Sequence, residues 1–284
     1  MIVYDVVTKG FVLFSIQTNS FNQFAGLYSN PNAIGLQLSV SLPMLIGLMF
    51  FKKGSKASTN YLYYFLLIFS LIVLLLTNSR ASIGAVFVSI SYILFKLKRR
   101  YFKYFFIGIV VSALAFFLIP ILNDFIALYL RVDRVFENTR FYIWTMSIDI
   151  IKSHYIFGVG PEQFATKIYA NLPVMLGSFE EFQIWWAKSG TSHNFFLYRF
   201  TETGILGFFS ALYLFYTFFK ISSMVEKLTK FKEPRYYILS VSISSIGAGL
   251  LGRAFLESTG LITNGWITRD LPFWIAFMIL IHLY

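Results

Sequence analysis

The chain is expected to be all-α, a polytopic transmembrane helix bundle carrying one large extracytoplasmic loop that is partly helical. Three observations predict this. Of its 284 residues, 57% are hydrophobic, 20% aromatic and only 13% charged, whereas soluble domains carry roughly a quarter charged residues. Several stretches of about 17–25 residues are almost free of charge, the length needed to cross a bilayer. More than half of the 24 basic residues fall in three short clusters between apolar runs, as the positive-inside rule expects of cytoplasmic loops. These are Lys52, Lys53 and Lys56; Lys96, Lys98, Arg99, Arg100 and Lys103; and Lys220, Lys227, Lys230, Lys232 and Arg235.

Spans are read at 33–51, 61–77, 81–96, 102–122, 194–219, 236–252 and 271–284, with a weaker helix at 2–17. Placing the three basic clusters inside puts the segments 18–32, 78–82, 123–193 and 253–270 outside, and every span then alternates in direction. The whole chain, 1–284, reads as one integral membrane domain with the 123–193 loop inside it. The start does not read as a signal peptide, because Asp5 and Lys9 interrupt the first apolar stretch.

Composition also excludes chemistry. There is no cysteine, so disulfides, thiolate catalysis and Cys-ligated metals are ruled out. Three scattered histidines, His154, His193 and His282, contain no paired zinc motif, and no nucleotide-binding glycine motif occurs. Neither a cofactor nor a metal is therefore expected. The net charge of +11 is a topology signal, reinforced by anionic headgroups, and not a nucleic-acid footprint.

The 123–193 loop is nearly neutral and structured. In "NTRFYIWTMSIDIIKSH", Asn138 or Thr139 caps a helix whose Phe141, Trp144, Ile148 and Ile151 recur three and four apart. That stripe could lie on the bilayer or on the bundle. "GVGPEQF" predicts a turn and a new helix start at Pro161 and Glu162. Trp185 and Trp186 read as interfacial anchors or as sugar-stacking platforms.

Three positions invite chemistry. Arg80 is the one base in an uncharged outer turn, either snorkelling to headgroups or clamping an anion by paired hydrogen bonds. Arg140 lies in the first turn of the loop helix, where the macrodipole disfavours a cation unless an anion compensates. His193 opens the following span after Thr191 and Ser192, either of which could cap it. It is a general base or an interfacial polar residue. Arg199 and Glu202, at i and i+3 in that span, read as a buried structural pair. Arg131 and Arg134 read as solvated or paired with Asp133 and Glu137.

Five motifs occur in order over residues 24–280: "FAGLYSNPNAIGLQLSVSLPMLIG", "LTNSRASIGAVFVSI", "TRFYIWTMSIDIIKSHYIFGVGPEQF", "SHNFFLYRFTETGILGFF" and "DLPFWIAFMIL". In that order, with a large loop ending in His-Asn, the chain resembles the O-antigen ligase and O-antigen or capsule polymerase superfamily (the WaaL/Wzy type). The resemblance implies a multi-pass glycosyltransferase of the bacterial cytoplasmic (inner) membrane that needs no metal or cofactor. Its donor would be an undecaprenyl-diphosphate-linked glycan, its acceptor a glycan or lipid-glycan, and its surroundings membrane lipid, with no nucleic acid. By that resemblance Arg80 and Arg140 bind the donor diphosphate and His193 deprotonates the acceptor on the extracytoplasmic face. Asn32, Asn194 and Glu202 lie in the same motifs as supporting residues. Polymerase is preferred over ligase, since nothing marks a lipid A-core acceptor site. The alternative is a non-enzymatic flippase or exporter of lipid-linked saccharide, which should carry basic residues deep in several spans. Two departures stand out: relatives commonly have about ten or more spans, and Gln23 stands where relatives often carry arginine. Absent N-terminal helices, a late start or an inactive paralogue would each account for the first.

Overall fold

The computed structural model describes residues 31–51, 57–118, 139–175, 190–263 and 267–284. They form the helices α1 (Pro31–Phe51), α2 (Ala57–Leu76), α3 (Arg80–Leu97), α4 (Arg99–Leu118), α5 (Thr139–Ser153), α6 (Phe164–Met175), α7 (Phe195–Lys232), α8 (Pro234–Ala254) and α9 (Ile267–Leu283). Each of the seven stretches read as spans falls on a helix among the described residues. Four of the helices, α1, α3, α7 and α8, are long and apolar enough to cross a membrane. Large apolar side chains stay outward, among them Tyr61 at 73% and Phe65 at 62% exposure on α2 and Ile107 at 55% on α4. Water would not tolerate so much contiguous apolar surface; lipid does. The chain is a multi-pass membrane protein. The N-terminal stretch 1–30, the first basic cluster, Trp185 and Trp186, and Arg131 to Glu137 lie outside the described residues.

Helix α8 is the hub, packing on α3, α7, α1 and α9. Its sequence "SVSISSIGAGLLGRA" explains this, because small residues let helix backbones approach. A Cβ on Gly249 would sit 2.2 Å from Ser89 Oγ and 2.5 Å from the Ala85 carbonyl oxygen. On Gly47 it would sit 2.0 Å from Ser242 Oγ. Ser89 Oγ also donates across the interface to the Ser245 carbonyl at 2.8 Å, a bond worth about 0.6 kcal/mol in a membrane interior.

Helix directions separate two ends. Asn32, Arg80 and Phe195 stand at the starts of α1, α3 and α7, beside the close of α8. At the other end Lys96 of α3 meets Glu226 of α7 at 2.7 Å, and Arg235 of α8 covers Phe51 of α1. The second and third basic clusters therefore share one end of the bundle.

Two local expectations are corrected, at Pro161 and in the span read as 194–219. The stripe Phe141, Trp144, Ile148 and Ile151, which could lie on the bilayer or on the bundle, faces outward at Phe141 and Ile148, 49% and 44% exposed. Ile143, Met146 and Ile150 are buried instead, against Phe164, Ile168 and Tyr198. Both faces have helical spacing, so periodicity did not discriminate between them. The predicted helix start at Pro161 is a turn, with Glu162 at φ 63, and α6 begins at Phe164. The span read as 194–219 continues to Lys232, because buried Ser222, Val225 and Thr229 keep one face of the extension packed.

Helix α7 is broken at Gly204, whose φ of 66 and ψ of −158 suit glycine alone. The loop 154–163 enters the break. Val159 and Gly160 donate their N–H groups to the carbonyls of Thr201 and Glu202, both at 2.9 Å, and Ile205 donates to the Tyr155 carbonyl at 2.8 Å. Backbone groups freed inside a membrane protein must find such partners. A Cβ at Gly204 would lie 2.1 Å from the Ile156 carbonyl oxygen. Gly204→Ala is therefore expected to destabilise by at least about 2 kcal/mol, lowering the thermal midpoint in detergent. Gly84→Ala, with nothing within 4 Å of the new carbon, should leave that midpoint unchanged or raise it.

Candidate active site

At the end where α1, α3 and α7 begin, the sequence-predicted residues gather around a side chain that the motifs did not single out. Glu257 follows α8 by three residues and is 3% exposed. Its Oε1 accepts from Arg140 Nη2 at 2.9 Å and from Asn32 Nδ2 at 3.1 Å. Its Oε2 lies 3.1 Å from His193 Nδ1. Three elements far apart in sequence thus meet on one carboxylate.

A buried carboxylate needs such company, since removing a partner from a buried charge cluster costs about 3–5 kcal/mol. Burial alone pushes the Glu257 carboxyl up. The His193 ring, with its hydrogen bond, and the guanidinium groups of Arg140 and Arg253 outweigh burial and hold it at about 2. Glu257 is therefore ionised and can only accept hydrogen bonds. It follows that His193 carries a proton on Nδ1; when the ring is neutral its lone pair is on Nε2, an atom that is itself buried.

The carboxylate is fixed by its loop. Arg253, 1% exposed, donates Nη1 to the Thr259 carbonyl and Nη2 to the Asn32 carbonyl at 3.4 Å. Asp270 accepts from the Gly260 N–H at 3.0 Å, from the Thr263 hydroxyl at 2.8 Å and from the Thr263 N–H. Trp274 Nε1 donates to the Leu261 carbonyl at 2.8 Å, and Arg199 donates to the Ile262 carbonyl. Residues 255–263 have no regular structure of their own, so these bonds hold Glu257 in place.

His193 is held from both sides. Trp144 Nε1 of α5 donates to the Ser192 carbonyl at 2.9 Å. The cap of α7 is Asn194, and neither Thr191 nor Ser192: its side chain accepts from the Leu197 N–H at 3.0 Å. Asn194 Nδ2 also donates to the Phe255 carbonyl at 3.1 Å, and its N–H to Ser258 Oγ at 3.0 Å. His193 itself is left-handed, with φ 51. Such backbone is costly for a residue with a Cβ and clusters at functional sites.

The other expected residues divide. Arg140 joins the cluster, but the anion compensating it at the start of α5 is Glu257, so its position does not by itself require a ligand. Arg80, the first residue of α3 and partly exposed, connects through its neighbour: Ser79 Oγ donates to Asn32 Oδ1 at 2.7 Å. Glu202 serves the break in α7, accepting from the Glu162 N–H at 2.8 Å. Arg199 and Glu202 are both buried, as read, each engaged by a different loop. Arg253 and Glu257 were legible only as an i, i+4 pair of opposite charges closing an apolar span, the default mark of a functional pair in a membrane. Among the described residues no group of three His, Asp or Glu side chains could hold a metal ion.

Because its pKa is depressed, Glu257 stabilises the fold above the ordinary carboxylate range and loses that contribution as pH falls toward 2. The thermal midpoint of wild type should exceed that of Glu257→Gln at neutral pH, and the gap should close between about pH 5 and pH 2. A gap independent of pH would contradict an ionised Glu257.

The family comparison points the same way. The O-antigen ligase family model matches residues 65–212, from within α2 through the 154–163 loop and His193 into α7. No curated protein matches the chain. With just over half of its length matched by that model, the chain belongs to the O-antigen ligase family.

Proposed function

We propose that the chain is a membrane glycosyltransferase that transfers an undecaprenyl-diphosphate-linked oligosaccharide to a glycan or lipid-glycan acceptor, outside the cytoplasmic membrane, with inversion and without metal. Family membership carries the ligase or polymerase type of activity. The observation that supports the mechanism is the His193–Glu257–Arg140 cluster.

In this mechanism the acceptor hydroxyl gives its proton to His193 Nε2 as its oxygen attacks the anomeric carbon. The new glycosidic bond forms while the bond from that carbon to the diphosphate oxygen breaks, and undecaprenyl diphosphate leaves with the electron pair. Glu257 is the positioning residue: it selects the tautomer and stabilises the imidazolium that forms, as an acid does in a hydrolase triad. The general-base contribution is about 10²–10⁴-fold. Arg140 and Arg80 would bind the diphosphate. A guanidinium offers five donors in a planar fork, and one bond to Glu257 orients the fork of Arg140. The starts of α1, α3, α5 and α7 converge here, and helix N-termini favour anions. Polymerase is preferred to ligase, since nothing in the sequence marks a lipid A-core acceptor site.

Reconstituted protein with a lipid-linked donor tests this by polymer length on a gel. His193→Ala should lower the transfer rate by about 10²-fold or more. Glu257→Gln should lower the rate strongly with little change in donor KM. Arg140→Lys should not restore Arg140→Ala, since an ammonium lacks the fork. Wild-type rates from folded His193→Ala protein would remove the general-base role. In a deletion strain, accumulated single repeat units would indicate a polymerase and free lipid-linked polymer a ligase. Sugar lipid trapped on the cytoplasmic side would indicate an exporter instead.

A further inference from the structure

At the end of the bundle away from His193, helices α3, α4, α7 and α8 enclose a pocket of about 330 Å³. Along α3 it lies about 24 Å from Arg80 at 1.5 Å per residue. Lys96, Arg99, Glu226, Lys227, Lys230 and Tyr237 line it. A second hollow of about 380 Å³, lined by Arg99, Arg100 and Lys103, adjoins it through Arg99. None of these groups takes part in the proposed chemistry.

The floor of the pocket is built. Glu226, 4% exposed, accepts from Lys96 Nζ and from the Tyr92 hydroxyl, both at 2.7 Å. Its charge is thereby matched by Lys96, leaving Arg99, Lys227 and Lys230 as surplus cations on the rim. Among the described residues no carboxylate forms an ion pair with any of the three. Arg99 and Lys230 instead lie over the rings of Phe95 and Phe231, at 5.6 Å each. Arg99 is also the first residue of α4, so the positive end of a helix 20 residues long points into the same space.

The surroundings decide the chemical class of the occupant. The rim is flanked by outward aromatic surface: Phe231 is 88% exposed, Tyr101 59% and Tyr104 56%. Above it on the same helices Phe87 and Phe106 are 42% and 58% exposed. A soluble anion would satisfy the cations but leave this apolar wall bare. A phosphodiester carrying acyl chains satisfies both, with phosphate at Arg99, Lys227 and Lys230 and the chains along α3 and α4. The positive-inside rule points this end toward the cytoplasmic leaflet, where basic pockets between helices collect anionic headgroups. We propose that the pocket formed by Arg99, Lys227 and Lys230 over the Glu226–Lys96 floor binds the phosphate of an anionic phospholipid.

Native mass spectrometry of the full chain, released from micelles containing phosphatidylglycerol or phosphatidylcholine, tests the proposal. Wild type should retain phosphatidylglycerol about tenfold or more over phosphatidylcholine. The double variant Lys227→Gln, Lys230→Gln, altered only at exposed side chains, should lose that preference. Lys152→Gln, an exposed lysine of α5 at the other end, should keep it. Absence of a preference in wild type overturns the proposal without recourse to any variant. Equal retention by the double variant, or displacement of the lipid by inorganic phosphate at matched concentration, overturns it too, the latter by showing a free-anion site.

Discussion

The ionised carboxylate of Glu257, sealed from water, is the constraint on which the active end of the bundle depends. A charge in that position is tolerated only with partners, and its partners come from α1, from α5 and from the turn before α7. Sequence neighbours could not supply them. The condition for burying Glu257 is therefore the same condition that brings Arg140 and His193 together. Arg253, Asp270, Trp274 and Asn194 hold the 255–263 loop so that the carboxylate stays where those partners can reach it. The proposed chemistry and the folding of this end draw on one interaction.

The break in α7 has a related purpose. A continuous helix through Gly204 would leave no seat for the 154–163 loop, whose N–H groups close the carbonyls of Thr201 and Glu202. That loop connects α5 to α6. Packing it into the break locks α5, and with it Arg140 and Trp144, against the first turns of α7. Gly158 and Gly204 meet backbone to backbone: a Cβ on Gly158 would lie 2.6 Å from the Gly204 nitrogen. Two glycines in separate motifs thus answer to one contact, and His193 inherits its position from it.

Much of this was legible and some was not, for physical reasons. Apolar length and basic clusters located the helices and sorted the second and third clusters to one end, because bilayer thickness and leaflet charge act on local sequence. Asn32, Arg140, Asn194 and His193 were legible through motif order. Their roles were less so: Asn194 is a cap and a tether, and Arg140 is neutralised by the protein. Glu257 escaped because its importance lies in contacts 64 to 225 residues away, and no spacing rule encodes those. The packed face of α5 escaped because both of its faces are apolar, so only the tertiary partner could choose between them.

The two ends of the bundle handle charge differently, and the difference bears on the proposed reaction. At the lysine-rich end, Arg99, Lys227 and Lys230 stay exposed, where the surroundings can screen them. At the other end, Arg140 and Arg253 stand around the ionised carboxylate of Glu257, and Arg80 opens the neighbouring helix α3. In the proposed reaction a diphosphate bearing both a lipid and a sugar brings about two negative charges to these guanidinium groups. When the sugar departs, the leaving diphosphate gains a negative charge as His193 gains a proton. Both sides of the balance then grow together, within the space where interactions between charges are strongest. Without Glu257, the imidazolium would lose the carboxylate that offsets it. In the proposed reaction the buried glutamate thus acts on the proton transfer and not on the grip on the donor, offsetting the imidazolium as the charge of the leaving group grows.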